Sequence, residues 1–348
     1  MFTIVLTGGG TGGHVIPALA LLPELKKYFN KIYYFGGSGI EKQLATDEGL
    51  RYFEMPTLGF NRRHLLKNFK LPFVLFKSIR TAKKYLIETK PSVVFSKGGY
   101  VSLPTVIAAR RLKIPVVAHE SDLSLGLANK ISQKFGATIA TSFVKTAELN
   151  KNFIYTGFPL RDKLFLGNPN NAREQLKINS MRPTILFTGG SSGSVAINET
   201  LADALPNLLK TYNVVHLTGK NKKTTLKGDG YFQIEYSKNI EDLFALANIV
   251  VSRAGAGAVS ELAALKKSVV LIPLPKGNSR GDQVENAKLA EKYGAIVLQQ
   301  ENLNKNSLLD AISQAKQKHM QPLSSAANSA ITQLLLLNAK KHLDSIKS

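Results

Sequence analysis

The sequence predicts an α/β protein of two similar halves, each a parallel sheet with crossover helices. Three observations lead there. Short apolar runs alternate with stretches of helical spacing along the chain, the pattern of repeated βαβ units. Glycine turns close several of these runs, most densely at Gly8-Gly9-Gly10-Thr11-Gly12-Gly13, where a strand hands over to a helix. The stretch from Ile185 to Ser194 (ILFTGGSSGS) then echoes the stretch from Ile4 to Gly13 (IVLTGGGTGG), as if one architecture occurred twice. A length of 348 residues with 44% apolar content suits two domains with proper cores.

In order, Thr3 to Leu6 reads as a buried strand and Pro17 to Tyr28 as a helix, with Pro17 in its first turn and Pro23 kinking it. Lys31 to Phe35 is a strand, Ile40 to Glu48 a helix and Tyr52 to Met55 a strand. Pro91 to Phe95 is a strand ending in Ser96-Lys97-Gly98-Gly99-Tyr100, followed by a helix over Leu103 to Leu112. Pro115 to Ala118 is a strand leading into His119-Glu120; a helix opens at Gly126, and Thr138 to Ala140 and Phe153 to Tyr155 are the last strands of this half. Thr156 to Arg161, with the polar stretch Gly167 to Asn171, is the expected hinge. In the second half, strands are expected at Pro183 to Thr188, Asn213 to Leu217, Phe232 to Tyr236, Ile249 to Val251 and Val269 to Pro273. Helices are expected at Ala196 to Lys210, from Ile240, after Gly255-Ala256-Gly257, at Asp282 to Tyr293, and from Ser307 to the end.

Composition excludes several classes. The absence of cysteine rules out disulfides and thiolate metal sites. A glycine loop beginning at residue 8 leaves no room for a leader peptide, and no apolar run approaches the roughly 20 residues of a membrane-spanning helix. The net charge of +22 points to an anionic partner. Phe60 to Tyr85 holds eight Lys/Arg and no acid, interleaved with Phe60, Leu65, Leu66, Phe69, Phe73 and Phe76. That mixture suits a segment lying on an anionic bilayer, while a core-packed helix with a basic outer face fits its C-terminal end better.

Gly8, Gly10 and Gly13 satisfy G-x-G-x-x-G, but no acid closes the second strand to hold a ribose, and Glu41 comes too late. No P-loop and no D-x-D metal motif is present. What remains is a metal-free diphosphate site built from helix N-termini, with Ser191, Ser192 and the amides around Gly193 to stabilise leaving charge. Bases for an incoming hydroxyl are His14, His119 and Glu120, and the chemistry this predicts is glycosyl transfer.

Together, Gly9-Gly10-Thr11-Gly12-Gly13-His14, Lys97-Gly98-Gly99-Tyr100-Val101-Ser102, His119-Glu120, Gly126-Leu127-Ala128-Asn129-Lys130, Gly189-Gly190-Ser191, Arg253-Ala254-Gly255-Ala256 through Ser260-Glu261, and Gln283 with Asn286-Ala287 resemble the MurG family over nearly the whole chain. The resemblance implies a GT-B fold, two Rossmann-like domains facing across a cleft. Residues 1–161, joined by a C-terminal helix at about 330–348, would bind acceptor and membrane; residues 162–329 would bind the donor. It implies an inverting enzyme that moves N-acetylglucosamine from UDP-N-acetylglucosamine to the MurNAc 4-hydroxyl of lipid I, giving the lipid II of peptidoglycan synthesis. No cofactor and no metal are implied, and the enzyme would be peripheral on the cytoplasmic face of the membrane.

By the same resemblance, Glu261 would hold the ribose, Ile240 the uracil, Ser191 the diphosphate and Gln283 the sugar, above the helix start Ala256, Gly257, Ala258, Val259 and Ser260. Thr11, Gly12, Gly13, Asn129 and Arg161 would reach the donor sugar. Gly9, Gly10, Gly98, Gly99 and Tyr100 would hold the acceptor diphosphate, with His14 as the catalytic group. The chain departs from the family where His119-Glu120-Ser121-Asp122 stands for His-Glu-Gln-Asn, and where Gly281-Asp282-Gln283 stands for Asp-His-Gln. Rival readings are a GT-B enzyme with another lipid acceptor such as diacylglycerol, a non-catalytic nucleotide-sugar module, and a nucleic-acid binder; the last lacks any recognised module.

Overall fold

The structure is a computed structural model that describes residues 2–57, 71–179, 181–190, 193–277, 281–324 and 326–347. It divides into two compact units, Met1–Arg161 with Ser324–Ser348, and Asp162–Leu323.

In unit 1 seven strands form one parallel sheet: β1 (Phe2–Thr7), β2 (Phe29–Gly36), β3 (Arg51–Glu54), β4 (Val93–Ser96), β5 (Val116–Glu120), β6 (Thr138–Thr141) and β7 (Phe153–Tyr155). Their order is β3-β2-β1-β4-β5-β6-β7, so the winding reverses between β1 and β4. Register places Thr7 beside Ser96, and the turns after both strands therefore emerge together at their carboxyl ends, where open α/β sheets bind ligands. The helices are α1 (Gly12–Leu19), α2 (Leu22–Leu25), α3 (Ile40–Asp47), α4 (Leu71–Thr89), α5 (Leu103–Arg111), α6 (Leu127–Lys134) and α7 (Val144–Ala147).

Strand alternation divides the core. Ile4 and Leu6 face a cluster with Val15, Leu21, Leu25 and Phe95; Val5 faces the other side with Phe35, Phe53, Ala82 and Val106. The first cluster is completed by Ile331, Leu334 and Leu335, from a helix at the far end of the chain. Burying those three side chains stabilises the unit by roughly 5–8 kcal/mol. Asn328 clasps that helix to the exit of the unit. Its Nδ2 donates to the Leu160 carbonyl (2.7 Å) and the Ala20 carbonyl (3.2 Å), and its Oδ1 accepts from the Leu160 amide (3.1 Å).

Unit 2 has six parallel strands: β8 (Thr184–Thr188), β9 (Asn213–Leu217), β10 (Tyr231–Ile234), β11 (Ile249–Ser252), β12 (Ser268–Leu271) and β13 (Ile296–Val297). The order β10-β9-β8-β11-β12-β13 reverses between β8 and β11, with Thr188 beside Ser252, the same device as in unit 1. Its helices are α8 (Pro169–Leu176), α9 (Val195–Leu208), α10 (Ile240–Leu246), α11 (Ala256–Ala264), α12 (Asp282–Lys292) and α13 (Lys305–Ala315); α14 (Ala327–Lys347) is the terminal helix of unit 1.

Four local expectations are corrected. The first helix begins at Gly12, so Pro17 lies inside it; the proline removes the bond to the Gly13 carbonyl, and the helix ends two residues later. Pro23 opens a separate short helix instead of kinking a long one. Gly167 to Asn171 is not a hinge but the start of α8: Asn168 caps it by accepting from the Asn170 amide (2.9 Å), and the Asn168 amide donates to Asp242 (2.7 Å). The C-terminal region is two helices, because the chain is irregular from Lys316 through Pro322 and turns left-handed at Ala326 (φ 55°).

Candidate active site

Unit 1 gathers its two glycine turns at the reversal of the sheet. Gly99 has φ +77°, and a Cβ there would stand 2.7 Å from the Gly9 carbonyl oxygen, so only glycine lets the two turns touch. Thr11 is the N-cap of α1 but makes no side-chain cap bond; its Oγ1 lies 3.2 Å from His14 Nδ1 instead. The His14 amide donates to the Thr11 carbonyl (3.1 Å), which leaves the Gly12 and Gly13 amides at the start of α1 as the anion site by geometry and dipole. The ring of His14 also borders Gly99, which places it where both turns meet. Tyr100, half exposed on a 3₁₀ turn (Tyr100–Ser102), lays its ring edge against Gly10.

Two groups beneath the turns were not legible as site residues. Glu41, from the second turn of the chain's α/β pattern, is buried, and its carboxylate accepts from the Gly10 amide (3.3 Å) and the Gly37 amide (3.1 Å). The Gly10 N–H offered by sequence to an acceptor phosphate therefore already has an internal partner. Tyr34 donates to the Gly8 carbonyl (3.0 Å) from the neighbouring strand, and its burial raises the phenol well above its ordinary range. The second group is Lys97, the residue before Gly98-Gly99, whose side chain is fully buried.

His119 and Glu120 face inward. His119 donates from Nε2 to the Gly157 carbonyl (2.9 Å), and burial, helped by the Lys97 charge, holds its pKa well below the ordinary value. Glu120 accepts from the amides of Asp122 (3.0 Å) and Gly126 (2.8 Å) and from Asn129 Nδ2 (2.9 Å). Both side chains are internal, Glu120 supporting the loop before α6 and His119 the turn at Gly157, so neither is free to act as a base. Asn129 is buried beside Gly98, and its Oδ1 has no hydrogen-bond partner among the described residues. Arg161 is half-buried at the last residue before the chain leaves unit 1.

Unit 2 holds a pocket of about 760 Å³ at its own reversal point. Gly189, Gly190, Gly193 and Ser194 line one wall, Arg253, Gly255 and Ala258 the other, with Gln283 and Leu274 at the side. Gly193 (φ +68°) is required because a Cβ would strike the Thr218 carbonyl at 2.2 Å. Arg253 ties the walls together: it donates to Ser194 Oγ (2.6 Å) and to the carbonyls of Ile272 (3.0 Å) and Pro273 (3.3 Å), and burial lowers its pKa. Ser194 also caps α9 by accepting from the Ile197 amide (3.3 Å). By contrast α11 has no side-chain cap at Gly255, so its first-turn amides are the open anion donors of this pocket.

Of the residues expected there, Ala258 and Gln283 line the pocket, and Gln283 accepts from the Leu274 amide (3.0 Å), which fixes its orientation. Ala256, Val259 and Ser260 turn their side chains inward, leaving only backbone for a ligand; Gly257 and Glu261 are partly exposed. Ile240 is the first residue of α10, after Asn239. Ser191 lies outside the described residues, as do Phe60, Leu65, Leu66 and Phe69. Phe73 and Phe76 are on α4, 73% and 57% exposed, with the Arg80 guanidinium 5.8 Å from the Phe76 ring centre. Among the described residues no helix is long and apolar enough to cross a membrane.

Two parallel-sheet units, each with an uncapped helix start at its sheet reversal, make the two-domain α/β class that takes phosphate compounds at helix N-termini, and the comparisons identify it as a glycosyltransferase of the GT-B kind. Residues 4–141 match the glycosyltransferase family 28 N-terminal domain and residues 184–345 its C-terminal domain. The chain is 44% identical over 319 residues, 90% of both chains, to the UDP-N-acetylglucosamine–N-acetylmuramyl-(pentapeptide) pyrophosphoryl-undecaprenol N-acetylglucosamine transferase of Lachnospira eligens. It is 44% identical over 338 residues to the transferase of that name from Clostridium perfringens, covering 95% of this chain and 94% of the relative. The crystal structure of Acinetobacter baumannii MurG superposes with a TM-score of 0.69 at 25% identity, covering 96% of this chain and 99% of that one. The chain belongs to the MurG family of N-acetylglucosaminyltransferases.

Proposed function

We propose that this protein transfers N-acetylglucosamine from UDP-N-acetylglucosamine to the 4-hydroxyl of the MurNAc of undecaprenyl-pyrophosphoryl-MurNAc-pentapeptide, producing lipid II for peptidoglycan. The observation that carries the reading is 44% identity to transferases of that name across nine-tenths of both chains. In the step, the acceptor oxygen bonds to the sugar C1, the bond from C1 to the UDP oxygen breaks, and inversion gives a β-1,4 linkage. The hydroxyl proton goes to His14, which stands at the meeting of the two glycine turns. Charge growing on the UDP oxygen is met by the open amides of α11 and by the pocket held together through Arg253 and Ser194.

The donor would thus lie in unit 2, with Glu261, Ile240, Gln283 and Ser191 around it, and the acceptor diphosphate against Gly9, Gly98, Gly99 and Tyr100 of unit 1. The exposed Phe73 and Phe76, beside Lys77 and Arg80, suit attachment to an anionic membrane, which on this reading is the cytoplasmic face. Ligand-dependent melting tests the donor assignment. UDP-N-acetylglucosamine should raise the melting temperature where UDP-glucose and NAD do not; equal shifts from UDP-glucose, or none from any UDP-sugar, would overturn it.

A further inference from the structure

Lys97 is an unusual group to find inside a protein. Its side chain is 1% exposed, yet no carboxylate among the described residues lies within ion-pair distance of it. The ammonium donates to Ser121 Oγ and stands 5.5 Å from the centre of the Phe158 ring. Its amide donates to the Thr7 carbonyl (2.8 Å), which holds the residue at the end of β4, directly before the left-handed pair Gly98 (φ +86°) and Gly99 (φ +77°). Its Cβ sits 3.2 Å from where a Cβ on Gly8 would be, so the lysine stem lies under both glycine turns at once.

A buried ammonium with no contact ion pair costs stability, because desolvation is not offset by a carboxylate in contact. An apolar side chain of the same length would pack there without that cost. The charged groups facing it are Glu120 on β5 and Asp122 in the loop after it, with neutral His119 alongside. Both carboxylates oppose its charge without forming a contact pair, and the Glu120 oxygens are taken up by three N–H donors instead. Ser121 and Asp122, which hold and balance the ammonium, are among the positions where this chain departs from the pattern of the family it resembles.

We propose that Lys97 is a positioning residue for the acceptor: a buried cation beneath the glycine turns whose field, together with the turn amides it anchors, attracts and orients the diphosphate of the lipid-linked sugar. This rests on the acceptor-side reading of those turns. Low polarity around the charge lets it act on a diphosphate it does not touch. The cost of burial also makes the charge titratable: Lys97 falls from the ordinary 10.5 to about 8, burial lowering it while Glu120 and Asp122 oppose. It is charged below pH 8 and becomes neutral above, so acceptor capture weakens as pH rises through that value.

The test is steady-state transfer kinetics with a short-chain polyprenyl-diphosphate acceptor, varying each substrate in turn from pH 6.5 to 9.5. Wild type should lose acceptor kcat/KM above about pH 8, with the donor KM flat. Lys97→Met should raise the acceptor KM about tenfold at pH 7, abolish that alkaline limb, leave donor KM unchanged, and melt at or above the wild-type temperature. An unchanged acceptor KM with the alkaline limb intact overturns the inference and leaves the acceptor reading standing. A rise in donor KM alone overturns the acceptor reading of the turns, and this inference with it. Should Lys97→Met not fold, the wild-type profile decides alone, and a flat acceptor kcat/KM across pH 8 refutes the role.

Discussion

Replacing Glu41 by glutamine isolates what holds the opening glycine loop. The buried carboxylate takes one amide on each oxygen, from Gly10 (3.3 Å) and Gly37 (3.1 Å). Glutamine keeps one accepting oxygen and turns an NH₂ group toward the other amide, so one charge-assisted bond is lost and two donors are opposed. Removing one partner so that an amide is left unsatisfied costs about 1–3 kcal/mol, more where the lost acceptor was charged, so about 2–3 kcal/mol is expected here. In a unit of this size that lowers the melting temperature by roughly 4–10 °C. Space offers no escape, since Cβ positions built on Gly9 and Gly39 already fall 2.7 Å from the Glu41 carboxyl. Calorimetry of Glu41→Gln reads the stability, and transfer kinetics should show acceptor KM rising with donor KM unchanged. A variant that melts with the wild type and captures acceptor equally well refutes the claim that Glu41 shapes the loop.

Three further perturbations follow from the same geometry. His216 in unit 2 is buried between Tyr231 Oη (2.9 Å) and Asn198 Oδ1 (2.9 Å), and burial lowers its pKa to about 4. Its folded pKa lies below the unfolded value, so stability is full above about pH 6.5 and falls by about 2–3 kcal/mol as pH drops toward 4; denaturant melts of His216→Gln should lose that slope. His14→Ala should lower kcat by about 10²–10⁴-fold while UDP-N-acetylglucosamine still raises the melting temperature, and a kcat near wild type would remove His14 as the base. Phe73→Ser with Phe76→Ser removes two exposed aromatics, each worth about 1.5–3 kcal/mol on burial, so flotation with anionic liposomes should fall at least tenfold without loss of UDP-sugar binding; undiminished flotation places the membrane contact elsewhere.

The fold was legible where composition forces conformation. Strands buried on both faces read as apolar runs, and the glycines after β1, β4, β8 and β11 mark the sheet reversals because touching turns exclude a Cβ. The start of α8 was missed although Asn168-Pro169 is a cap followed by a first-turn proline, a signal outweighed by the polar run around it. Pro322 similarly foretold the break before α14. In the site, residue identity was legible but direction was not. His119 and Glu120 stand at a strand end from which a side chain can go either way, and both turn inward. Glu41 lies 31 positions from the Gly10 amide it binds, and Lys97 lies 24 from Ser121; nothing local to either residue signals such partners.

The central claim is the reaction itself. Incubating the protein with UDP-[¹⁴C]N-acetylglucosamine and purified undecaprenyl-pyrophosphoryl-MurNAc-pentapeptide in anionic vesicles, and following label into lipid, tests it most directly. A disaccharide-bearing lipid should form in step with UDP release, with no labelled lipid when diacylglycerol is the acceptor. Binding of the donor with no acceptor-dependent UDP release, or transfer to diacylglycerol in place of the MurNAc lipid, would contradict it.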